Sequence, residues 1–78
     1  MPRFFFNMIG REKVHDLEGT ELPSLAEART EALEDARVLM SEAILEGFDI
    51  SSHQIEICNE ADEVLLVVPF SDAIKARR

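Results

Sequence analysis

From Leu25 to Glu46 the chain runs without a glycine or a proline, in a stretch dominated by Ala, Leu, Glu and Arg. Those residues lose the least on entering a helix, so a long helix over about 25–46 is the strongest constraint on the fold. Ser24 before it and Glu27 three residues later have the spacing of a capping box, and Gly47 is a natural stop. At about 1.5 Å per residue the rod reaches roughly 33 Å, enough to cross a small sheet. Its apolar stripe, Leu25, Ala28, Ala32, Ala36, Leu39, Met40 and Ala43, widened by Leu33 and Ile44, is rich in alanine. A stripe that thin packs well only against a partner that supplies bulk.

The flanking segments supply it. Arg3 to Ile9 is aromatic and apolar, and Gly10-Arg11 then separates it from residues 12–17. Glycine at the first central position predicts a type II′ hairpin, with Phe6 opposite His15, Phe5 opposite Asp16 and Phe4 opposite Leu17. After the helix, residues 53–58 and 64–70 read as a second strand pair around Asn59-Glu60-Ala61-Asp62, with Ile57 opposite Val64 and Ile55 opposite Leu66. Pro69, lacking an amide donor, belongs at the end or outer edge of its strand. The expected fold is α+β with order ββαββ, one domain over residues 1–78, in which two hairpins form a four-stranded sheet on one long helix. Two strand orders remain open: one sets the first and last strands side by side at the centre, the other is wholly antiparallel.

Alternation assigns Phe4, Phe6, Met8, Leu17, Ile55, Ile57, Val64, Leu66, Val68 and Phe70 to the helix-covered face. The opposite face is not cleanly polar. It carries Phe5, Ile9, Val14, Leu65 and Val67 between Asn7, Asp16, Gln54 and Glu56. One helix shields one side of a sheet, and an antiparallel sheet with a wetted face should alternate more sharply. The expectation is therefore a self-associating interaction module, a homodimer or a complex with another protein, that uses Phe5, Ile9, Val14, Leu65 and Val67.

Charge narrows the alternatives. Sixteen acids against eight bases give a net −8, which excludes a generally basic nucleic-acid coat. Residues 14–74 hold fifteen acids and two bases, whereas Arg11, Lys13, Lys75, Arg77 and Arg78 fall near the chain ends. A second reading follows from that basic end: a nucleic-acid-linked regulator resembling small antitoxin-type proteins, opposed by the surrounding acidic field. A third places a small-molecule site at the sheet rim beside His15. No Gly-rich phosphate loop, nucleophile elbow or paired-cysteine motif is present, so no catalytic residue, cofactor or metal is expected. His53 and Cys58 are five apart on one strand and face opposite ways, so they cannot act together. Asn59 to Glu63 is acidic but lacks the ligand spacing and glycine of a calcium loop. The lone Cys58 fits a reducing, cytoplasmic setting, and no apolar run is long enough to span a membrane.

Three strings, Met1-Pro2-Arg3-Phe4-Phe5-Phe6, Gly19-Thr20-Glu21-Leu22-Pro23 and Val64 to Ala73, together resemble a family of small bacterial proteins of unknown function, found especially in soil and plant-associated bacteria. The likeness spans nearly the whole chain. It departs from the family pattern at Gly10-Arg11 and at Asn59 to Asp62, where Asp-Gly-type turns are common. The resemblance implies a short, often stand-alone cytosolic domain and brings no catalytic residues.

Overall fold

The computed structural model describes residues 1–74. The elements run β1 (Arg3–Ile9), β2 (Lys13–Val14), β3 (Thr20–Glu21), α1 (Leu25–Leu45), β4 (Gln54–Cys58), β5 (Val64–Pro69) and a 3-10 turn (Phe70–Ala73). The sheet order is β2-β1-β4-β5, antiparallel throughout, with β3 on the other end of β1. This settles the open question in favour of the antiparallel order, whose straight hydrogen bonds make the stronger ladder. Pro69 ends β5 on the sheet edge. The Phe70 amide donates to His53 O at 2.9 Å, so by alternation Pro69 sits at an outward-pointing position, where its missing N–H costs nothing.

Both ends of α1 follow their local signals. The Ser24 hydroxyl accepts the Glu27 amide at 3.3 Å. At the far end Gly47 adopts φ +92, its amide reaches Ile44 O at 2.9 Å and the Phe48 amide reaches Ala43 O at 2.8 Å, the paired bonds of a Schellman motif. Glu46, expected as the last helical residue, is the cap. Ala28, Ala32 and Ala36 have no exposed surface and pack with Phe4, Ile55, Ile57, Val68 and Phe70 as one core. Arg37 Nε donates to Ala73 O at 3.1 Å and ties the helix to the 3-10 turn.

The first hairpin differs from expectation in turn, length and register. Among the described glycines only Gly19 and Gly47 have positive φ, so the Gly10-Arg11 turn is not type II′. Gly10, Arg11 and Glu12 form a three-residue connection between the paired Ile9 and Lys13. Space explains Gly10: a Cβ there would lie 2.8 Å from Cε1 of His53, whose ring packs against Phe70. The longer loop pairs Met8 with Val14, a one-residue slip that reverses every side chain of β2. Val14 therefore joins the helix side and Lys13 the outer side. The strand expected over 12–17 stops at Val14, and Leu17, expected in the core, is 87% exposed. The chain returns to β1 as β3, pairing Thr20 with Phe4 and Glu21 with Arg3.

In the second hairpin Ile57 pairs with Leu66 and Ile55 with Val68, two residues from the expected register, so the faces are preserved. A bulge then sets Cys58 opposite Val64 and leaves Leu65 as the extra residue. Val64, expected on the helix side, thereby turns to the outer face. The turn is held by Asn59, whose Oδ1 accepts the amides of Ala61 and Glu63 at 3.0 Å, with Asp62 at φ 62.

Gly19 and Gly47 both use positive φ, but only Gly19 is also enclosed: a Cβ would come within 2.9 Å of Phe4 O and Phe5 Cε2, while at Gly47 nothing lies within 4 Å. Gly47→Ala should cost about 1 kcal/mol, the conformational penalty alone. Gly19→Ala should cost about 2–4 kcal/mol, because strain and overlap add. Urea unfolding of the two variants side by side checks the ordering.

Candidate interaction surface

Across the face away from α1, three rows run from strand to strand: Phe5–Cys58–Val64, Asn7–Glu56–Val67 and Ile9–Gln54–Pro69. Phe5 and Ile9 are half-buried there. Val64, Leu65 and Val67 on the edge strand β5 are 50%, 40% and 43% exposed. Of the five residues expected to form the surface, Phe5, Ile9 and Val67 belong to this face by register and Leu65 sits at the bulge beside it. Val14 does not belong to it: the shorter β2 carries it, 61% exposed, to the other side. Val64 takes its place in the apolar cluster, and only the bulge, which alternation does not reveal, puts it there.

The charges of this face are matched locally. Lys13 Nζ lies 2.9 Å from Glu56 Oε1, and Arg3 holds Glu21 at 3.1 Å and Glu18 O at 2.9 Å. The hydrogen bond and charge of Glu56 raise the Lys13 ammonium above its ordinary pKa, outweighing desolvation. Lys13, expected in a basic end, is paired with Glu56 on the outer sheet face. Arg11 is exposed, and Lys75, Arg77 and Arg78 lie outside the described residues.

The rim is organised by a residue that pattern-reading treats as a face residue. Between β2 and β3 the edge of β1 has no strand, and Asp16 fills the gap. Its Oδ2 accepts the Phe6 amide at 3.1 Å, and its Oδ1 accepts the amides of Glu18 and Gly19 at 3.2 and 3.1 Å. Its own amide donates to Oδ1 of buried Asn7 at 2.9 Å, and Asn7 Nδ2 reaches Cys58 Sγ at 3.5 Å. Partial burial pushes the Asp16 carboxyl up, but the amides of Phe6, Gly19 and Glu18 outweigh it and hold the pKa below the ordinary value. The Asp16-Leu17-Glu18-Gly19 string carries the signal for this, an Asx turn closed by glycine.

Burial first, then Glu56 and Asp62, raise the Cys58 pKa, against smaller opposing effects of Lys13 and Asn7, which disfavours the nucleophilic thiolate. His15 is exposed at a shallow depression shared with Phe5, Asn7, Asp16, Asn59 and Asp62, where no hydroxyl or thiol side chain accompanies it. His53 takes the helix side and Cys58 the outer side. Among the described residues no three of His, Cys, Asp and Glu come together as a metal site, and no helix is long and apolar enough to cross a membrane.

The geometry defines a two-layer α+β domain whose outer sheet face mixes Phe5, Ile9, Val64 and Val67 with Asn7, Gln54 and Glu56 and pairs its charges locally. The chain belongs to the DUF6894 family, a domain of unknown function, which matches residues 3–71. No curated protein and no solved structure matches it.

Because the folded state lowers the Asp16 pKa, its contribution to stability is complete above the unfolded value near ~3.9 and disappears as pH falls through the folded value. Asp16→Ala should cost about 1–3 kcal/mol at pH 7, since three amides lose their acceptor. The gap from the unsubstituted protein should close on acidification below pH ~4. Urea midpoints for both proteins across that pH range check it; a gap independent of pH would mean the carboxylate charge is irrelevant.

Proposed function

We propose that this domain is a non-enzymatic interaction module that self-associates through the sheet face opposite α1. The observation that carries the reading is the exposure of Val64, Leu65 and Val67 together on the edge strand β5, with half-buried Phe5 and Ile9 on the same face beyond Cys58, Glu56 and Asn7. Apolar residues scattered singly on a surface are ordinary, whereas a cluster of them on one strand points to an interaction site. A second copy is the occupant that the charges favour. The net −8 of the chain would repel a like molecule at the helix, whereas on this face Lys13 with Glu56 and Arg3 with Glu21 cancel.

Energy supports the same reading. Four of the ten buried residues of the core cluster are alanines, so the core carries little bulk for 78 residues. Covering a few hundred Å2 of apolar surface at about 25 cal/mol per Å2 adds several kcal/mol, comparable with the whole stability of such a domain. The pairing of Lys13 with Glu56 weighs against the basic end as a nucleic-acid site.

Sedimentation at micromolar concentration should give a dimer. Leu65→Lys should give a monomer with unchanged helical circular dichroism, because residue 65 is already exposed and tolerates the charge as long as the face is free. A dimer that survives Leu65→Lys, or an unsubstituted protein that stays monomeric, defeats the reading.

A further inference from the structure

The helix layer is also incomplete. The domain measures 36 × 30 × 16 Å, so its short dimension is two layers thick, and α1 is the only α-helix among the described residues of the second layer. A helix is about 10–12 Å across with its side chains and cannot roof a body 30 Å wide. It packs on the 3-10 turn, β4, β5 and β1. Ile55, Ile57 and Val68 beneath it are at most 3% exposed, but Phe6 and Met8 of β1, on the same side, are only half-buried. Beyond them Val14 of β2 is 61% exposed, and on the helix flank Val38 is 57% exposed. Phe6 and Met8 thus floor a trough walled by Asp35, Val38 and Leu39, and Met8 continues it to a second depression beside Val14 and Phe48.

Among the described residues Asp35 is the one acid in the wall of the trough itself, and the second depression adds Glu12 and Asp49 with Arg11. Glu31, Asp35, Val38 and Glu42 recur at helical spacing along one line of α1, while Arg29 and Arg37 fall on the other side of the helix. We infer that this trough seats a basic amphipathic helix of a partner protein, laid beside α1 as the second helix of the layer. Apolar side chains of that helix would cover Phe6, Met8 and Val38, and its flanking Lys or Arg would meet Asp35, Glu31 and Glu42. A second copy of α1 does not suit the trough, because it would bring Glu27, Glu31, Glu34, Asp35 and Glu42 against the same acids. Burial, together with Glu31 and Glu34, raises the Asp35 pKa, so an incoming cation would relieve a crowded carboxylate. The inference is independent of self-association, since the two surfaces lie on opposite faces of the sheet.

The test titrates the full chain, at physiological ionic strength, with a synthetic Leu/Lys amphipathic peptide of about 14 residues, four helical turns. A Leu/Glu peptide of the same pattern is the control. The Leu/Lys peptide should bind and the Leu/Glu peptide should not, with amide resonance changes centred on Phe6, Met8 and Val38. Val38→Glu should weaken binding about tenfold although it adds negative charge, and Asp35→Asn should weaken it several-fold. Leu65→Lys should leave it unchanged. Val38 is exposed, so its variant should fold, and circular dichroism verifies this. Absence of Leu/Lys binding, equal binding of both peptides, unchanged or tighter binding by Val38→Glu, or changes centred on Leu65 and Val67 would each overturn the assignment.

Discussion

The closeness of α1 to its sheet rests on three alanines. Ala28, Ala32 and Ala36 carry no bulk beyond Cβ, so the helix backbone settles directly onto Phe4, Ile55, Ile57, Val68 and Phe70. Under the alanines the bulk comes from the sheet and the 3-10 turn, while Met40 and the partly buried Leu25, Leu33 and Leu39 add helix side chains around them. A contact of this kind is tight but narrow. It seals the side chains under the stripe, leaves Phe6 and Met8 half-buried at its flank and leaves Val14 exposed. Much of what is distinctive about the surface follows from this trade of width for closeness.

A second constraint acts at the edge of β1. Two strands of only two residues flank it, at Lys13–Val14 and Thr20–Glu21, and the gap between them would leave the Phe6 amide without a partner. A buried or half-buried amide must be satisfied, and the Asp16 carboxylate does so while also closing its own loop onto Glu18 and Gly19. Asn7 completes the arrangement from within the sheet. One side chain therefore replaces a stretch of strand. The strict fit at Gly19, against Phe4 and Phe5, belongs to the same device.

Charge is sorted between the two faces. The helix carries crowded carboxylates, and on Asp35 the crowding shows as a raised pKa, first through burial and then through Glu31 and Glu34. The outer sheet face has its charges paired and its edge strand apolar. Charge repulsion between like molecules is therefore weaker at the outer sheet face than at the helix.

Local signals determined the helix, its Ser24 cap, its Gly47 stop and the faces of β1, β4 and most of β5, because periodicity and capping act within a few residues of chain. The apolar excess on the outer face was legible for the same reason through Phe5, Ile9, Leu65 and Val67. Only the tertiary structure decided which side Val14 and Val64 take. Each depends on a single residue of loop or bulge, and a period of two reverses with every such insertion. Gly10 shows why the loop could not be read locally: its small size answers to His53, forty-three positions away in the chain, and not to its own backbone angle. The strand order, the role of Asp16 and the half of the helix layer left open were likewise settled by contacts between distant segments, whose geometry no local pattern encodes.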